Sequence, residues 1–505
     1  MIKPFITILL ICVVFHVSGE VYNIHNYGAV PGQLSTKAIQ SAVDECAGMG
    51  GGTVWVPAGR YITGSIELKS FVNLHLEQGA ILEGSKNLED YASSFRNHGI
   101  IYCVDAQQVS ITGQGIIDGQ GTFFYDTTRN HVYPEFDKQV VRQREGYMPE
   151  GTFFTDGPIE RKRAPGMTIT FYHCTSVTLK DITIRDTPVW AIRFAYCDDV
   201  LVEGISIYNN LMVPNSDGVH CTASRNIRMS DCDIRAGDDA FIVTGFPLQE
   251  NTPGYDMSIP LSHRFGNKSE YAENVTVSNC TFQSRSAGIR IGYGQHPIRH
   301  CVFNNITIYG SNRGIGIFAH DEASIEDLIF SNITIETRLH NGQWWGNGEP
   351  IHLSAISRFE GEPAGKIRRV KFNNIIATSE HGILLYGDEP HTLESVSFNN
   401  VDLKIVRGRE TLDYGGNFDL RPAADIKKQL FEHDIPGLFA LNVDRLDILD
   451  FGLVWGDNLP AFFSHGIECH TVSDLSIRNF QGMPNPNAGN GEKQHLVNTT
   501  ILSIK

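Results

Sequence analysis

The chain holds 505 residues, 41% hydrophobic and 19% charged, with 49 glycines and a formal net charge of −16. That much apolar content with so few charges excludes disorder over most of the length. The acidic balance argues against nucleic acid or an anionic membrane surface as a partner, and an acidic polymer would need a local basic patch.

At the start, Lys3 precedes an apolar stretch over 5–17, and the small residues Ser18 and Gly19 stand ahead of Glu20. This pattern predicts a secretory signal peptide over 1–19, with export to the periplasm or the extracellular space. The stretch is short for a bilayer span and no other segment would serve, so no membrane association is expected after cleavage. Residues 20–505 are expected to form one domain and to act as a monomer. Cys12 would leave with the signal; the odd number of cysteines remaining cannot all pair, and most are expected inside the fold as small apolar residues.

Within 35–47, Ala38, Ile39, Ala42, Val43 and Cys46 fall at helical spacing behind Ser35, and Gly50, Gly51 and Gly52 follow. The pattern predicts an amphipathic helix that caps one end of the fold. From Thr175 onward, β-branched runs recur as strand, turn, strand over 177–184, 200–207, 227–234, 275–282, 301–308, 328–335, 370–377 and 396–403. Spacing mostly in the low to middle twenties means a solenoid.

The residue before each second strand is in turn Asp181, Gly204, Asp231, Asn279, Asn305, Asn332, Asn374 and Asn400. These types tolerate a left-handed backbone, so a tight turn should recur at one corner, with stacked Asn amides hydrogen-bonded along it. No helical segment interrupts the units, which disfavours leucine-rich repeats and leaves an all-β parallel β-helix. Two longer units, 245–270 and 340–360, predict loops that wall a binding face.

Three aspartates stand out: Asp217 in Asn215-Ser216-Asp217-Gly218, then Asp238 and Asp239 in Gly237-Asp238-Asp239. Either motif alone reads as a turn. Their interval is close to one repeat, which puts them on neighbouring coils about 4.8 Å apart. Carboxyl groups that close resist joint ionisation, leaving a proton donor beside an ionised base, as acetal cleavage requires. Adjacent Asp238 and Asp239 would face opposite sides of a regular strand, so a local bend is expected, with Gly237 permitting it.

These motifs resemble glycoside hydrolase family 28, the polygalacturonase family. So do Gly51-Gly52-Thr53-Val54-Trp55-Val56-Pro57-Ala58-Gly59, Leu74-His75-Leu76-Glu77-Gln78-Gly79-Ala80, Ile117-Asp118-Gly119-Gln120-Gly121 and Asp186-Thr187-Pro188-Val189-Trp190. The resemblance implies a right-handed parallel β-helix and an inverting hydrolase acting on plant cell-wall-type polysaccharide or oligosaccharide. It implies Asp238 as general acid, with Asp217 and Asp239 holding and deprotonating the water. Inversion needs roughly 6.5–9.5 Å between acid and base, which neighbouring coils plus side-chain reach can supply.

The chain departs from the family in two places. Ser286-Ala287-Gly288 and Gly316-Ile317-Phe318 stand where relatives carry Gly-His-Gly and Arg-Ile-Lys, removing a histidine and two cations that would grip a galacturonate carboxylate. Arg290, Arg313 and His320 are the candidate replacements in substrate binding, and His220 is placed to shape the pocket. The second insertion adds Trp344, Trp345 and Glu349, with indole faces suited to sugar stacking. No close His/Cys cluster with ligand spacing, phosphate loop or nucleophile elbow appears, so neither metal nor cofactor is expected. Long insertions favour exo action on galacturonan- or rhamnogalacturonan-related linkages. The alternatives are a polysaccharide lyase on the same fold, or a non-catalytic carbohydrate-binding β-helix whose aspartates are turn residues.

Overall fold

The computed structural model describes residues 20–92, 98–133, 139–247 and 271–504. The expected signal peptide and 248–270 of the first long insertion lie outside the described residues. Among the described residues, thirty-two strands join a single sheet that winds from Glu20–Asn23 to Ile501–Ile504. Each coil supplies up to three strands. Thr175–Lys180, Thr183–Arg185 and Ile192–Ala195, for example, pair in parallel with Asp198–Glu203, Ser206–Tyr208 and Val219–Thr222 of the next. This is the right-handed parallel β-helix that the repeat and the resemblance led one to expect.

In-register pairing places like over like. Phe303, Phe330, Phe372 and Phe398 stack inside the coil at centroid separations of 4.8, 5.1 and 5.0 Å. The cysteines of the described residues are all free and buried, acting as the small apolar residues expected. At the recurring corner, Asp181, Asp231, Asn279, Asn305, Asn332, Asn374 and Asn400 have φ between 54° and 62°, and Gly204 has 65°. The amide chain forms as expected: Asn400 Nδ2 donates to Asn374 Oδ1 (2.9 Å), and Asn374 Nδ2 to Asn332 Oδ1 (3.0 Å).

The helix Thr36–Gly48 buries Ala38, Ile39, Ala42, Val43 and Cys46 against Glu20–Asn23, Gly52–Val56 and Ile66–Leu68, so it covers the first coil. No helix among the described residues is long and apolar enough to cross a membrane.

The corner between the second and third strands carries the long excursions at 119–166, 338–350 and 406–437. Strand Ile351–Ala355 splits the expected 340–360 loop, so only its first part lies at this corner. The three excursions fuse. Trp344 Nε1 donates to Asp156 O (3.2 Å), Gln143 Nε2 to Gly415 O (2.7 Å), and Arg142 pairs with Asp434 (2.6 Å).

Candidate active site

The two acidic motifs occupy this same corner on neighbouring coils: Gly218 N donates to Asp239 O (2.9 Å), and Val219 is in register with Phe241. Ser216 Oγ joins them, accepting from Gly237 N (3.0 Å) and donating to Val213 O (2.8 Å). A Cβ on Gly237 would lie 2.2 Å from Val213 O and 2.6 Å from Ser216 Oγ. Glycine is required there by the close approach of the coil below. The expected bend is made by Asp238 itself, whose Oδ1 accepts from Asp239 N (3.0 Å), while Asn215 Nδ2 reaches its Oδ2 at 3.4 Å.

Environment separates the three carboxyls. Asp217 is 2% exposed, with Oδ1 unpartnered and Oδ2 3.8 Å from His220 Nδ1. Burial first, then Asp238 and Asp239, raises its proton affinity well above the ordinary carboxylate range. Asp238 is half-buried; desolvation and then the charge of Asp239 push it up to about 7. Asp239 is fixed by Ala287 N on Oδ1 (2.9 Å) and by Arg290 Nε on Oδ2.

His220 is fully buried, bonded through Nε2 to Thr244 Oγ1 (3.0 Å) and stacked on Trp190 at 3.9 Å. Burial, then Arg290 and Arg193, keeps it well below the usual imidazole range, so the ring is neutral.

Arg193, His220, Ile242, Arg290 and Gly316 form one outward column on successive coils. Arg290 also donates through Nη1 to Gly292 O (3.0 Å) and lies 5.0 Å over the Tyr293 ring. One coil on, the Phe318 ring comes within 2.6 Å of where a Cβ on Gly316 would stand, filling the space that the missing cations would need.

Four expected substrate contacts are instead internal. Arg313 is buried between Glu349 (3.4 Å) and Asp419 (3.7 Å). Glu349 is fully enclosed, and Arg313 with His352 holds its carboxyl well below the usual range despite the opposing effect of burial. His320 commits Nδ1 to Pro422 O (2.9 Å) and Nε2 to Ser354 Oγ (2.7 Å). Trp344 is 4% exposed and bonded to the 119–166 excursion. Each packs the wall and offers no open surface to a sugar. Trp345 differs: it stays half-exposed, with the Arg421 guanidinium 5.5 Å from its ring.

Arg193 went unnoticed in the sequence. It is buried, bonded to Thr222 Oγ1 (3.2 Å) and Tyr172 OH (3.3 Å), and flanked by the Tyr172 and Trp190 rings, with no carboxylate partner among the described residues. Reading the repeat as columns would have set it beside His220. Arg285 was missed too; it is buried with Nε and Nη1 unpartnered, Asp156 lies 3.7 Å from its Nη2, and desolvation lowers its pKa to about 10.

The profile of glycosyl hydrolases family 28 matches residues 149–320, the stretch that contains all three aspartates. A "Probable polygalacturonase" of Vitis vinifera is 28% identical over 228 residues, 42% of this chain and 41% of that protein. An "Exo-poly-alpha-D-galacturonosidase" of Dickeya chrysanthemi is 30% identical over 252 residues, 44% of this chain and 41% of that protein. The chain thus spans less than half the length of these two curated relatives. Among solved structures, the family 28 exopolygalacturonase of Yersinia enterocolitica superposes with a TM-score of 0.61 at 17% identity, covering 97% of this chain and 79% of that one, a likeness of fold. Residues 149–320 thus carry a likeness to glycosyl hydrolases family 28.

Proposed function

We propose that residues 20–505 form one exported, monomeric inverting glycoside hydrolase that acts on pectin-type polysaccharide or its fragments. The observation that carries this reading is the convergence of Asp217, Asp238 and Asp239 at one corner, with Arg290 on the next coil. Asp238, protonated up to about pH 7, gives its proton to the leaving oxygen as the glycosidic C–O bond breaks. Asp217 and Asp239 hold the water that attacks from the opposite face, and Asp239, ion-paired with Arg290, takes the water's proton. The relatives named polygalacturonase and exo-poly-alpha-D-galacturonosidase point to an acidic sugar. Arg290, one coil before Gly316, is the cation we assign to its carboxylate.

The fused excursions at 119–166, 338–350 and 406–437 close one side of the corner, which favours removal of terminal sugars over cleavage within a chain. Incubation with pectic oligosaccharides of defined length, with products followed by NMR from the first minutes, tests the reading. Release of single terminal sugars in the inverted anomeric form is expected. Retained configuration would overturn the assigned roles, and internal cleavage would overturn exo action.

A further inference from the structure

Far from the aspartates, the outward column of Arg290 continues through Gly316, His352, Leu384, Phe439 and Glu468 to His495, six coils on. There His465, Glu492 and His495 bring one potential ligand atom each to within 4.8 Å of one another. We infer that these three residues bind a divalent transition metal of the zinc class.

Glu492 and His495 sit three apart, with Glu492 Oε1 at 2.8 Å from His495 Nδ1. The His465 and His495 rings stack with centroids 4.5 Å apart. His465 is partly buried. Its Nδ1 accepts from Glu492 N (3.0 Å), a bond that metal entry would exchange for a metal–imidazole bond. Beside them, His470 Nε2 is bonded to Glu468 Oε1 (2.8 Å), and its ring lies 6.0 Å from that of His495, a further carboxylate–imidazole pair able to orient the ligands.

Two nitrogens and one carboxylate suit Zn2+, Co2+ or Ni2+, whereas Ca2+ and Mg2+ prefer all-oxygen sets. His465 is 27 positions from Glu492 in sequence but one coil away in space, so spacing along the chain does not reveal the group. A metal there would pin Gln494–Val497 to Ile467–Gln481, bracing this end of the ladder, where Ile501 and Leu502 are exposed.

The test uses the full chain without a histidine tag. Calorimetric titration with Zn2+ should show one saturable site, Co2+ should give a visible absorption band, and Zn2+ but not Mg2+ or Ca2+ should raise the Tm. His465→Ala and, separately, His495→Gln should each weaken Zn2+ affinity by roughly tenfold or more while leaving oligosaccharide hydrolysis unchanged. Absence of saturable Zn2+ binding, or affinity unaltered in both variants, would overturn the assignment.

Discussion

Arg290 donates through Nε to Asp239 Oδ2 on the coil below, tying the outward column to the acidic corner. Asp239 is therefore positioned by a residue that the sequence offered only as a substrate contact. Arg290→Ala leaves Asp239 buried without its counter-charge and removes a fork suited to a carboxylate. We expect kcat/KM to fall by roughly 100-fold or more, with Arg290→Lys recovering only part because it restores charge but not the fork. Steady-state kinetics on acidic oligosaccharides and their methyl esters check this. If Arg290 grips the substrate, the loss should be larger for the acid than for the ester, and equal losses would limit it to positioning Asp239.

Asp238 predicts the alkaline limb of the pH–rate profile. Its folded-state pKa of about 7 stands above the ordinary 3.8, so the acid form survives to near neutrality and is lost as pH rises through 7. kcat/KM should decline above pH 7 with that apparent pKa. Asp238→Asn should lower kcat by roughly 100- to 10,000-fold and abolish the limb. The same sign governs stability: the contribution is complete below the unfolded value and disappears as pH rises through the folded one, so Asp238→Asn should be more stable than wild type at pH 8. Thermal melts at pH 5 and pH 8 measure this, and an unchanged difference between the two proteins would count against the raised value.

Asn374 tests the corner ladder. It holds φ 55°, donates to Asn332 and accepts from Asn400. Asn374→Ala meets left-handed strain and loses both bonds, an expected cost of about 2 kcal/mol. Asn374→Gly loses the bonds but not the conformation, and should cost less. Denaturant melts decide; equal destabilisation would mean that the amide chain, and not the backbone, dominates.

The solenoid was legible because an in-register parallel stack repeats its pattern once per coil, so the left-handed corner, the capping helix and the neighbouring acidic motifs could all be read from spacing. What escaped were contacts between excursions. The seating of Trp344 against Asp156, and the enclosure of Arg313 by Glu349 and Asp419, join segments far apart in sequence with no repeat to align them. Arg193 and the His465–Glu492–His495 group were hidden for a related reason: a column across coils is invisible to a reading that follows the chain.

The two neighbouring tryptophans should separate packing from binding. Trp344 lies inside the wall, so Trp344→Ala opens a cavity and breaks the bond to Asp156 O, an expected cost of about 3–5 kcal/mol. Its effect on activity should follow from loss of the fold. Trp345 keeps part of its surface open, with its ring against the Arg421 guanidinium. Replacing it by alanine should cost about 1 kcal/mol in stability yet raise KM by roughly three- to tenfold, the loss of one aromatic face against a sugar. Melting curves and initial rates on the same preparations give both quantities. A KM unchanged by Trp345→Ala would remove that ring from the binding face, leaving the 338–350 excursion as wall alone.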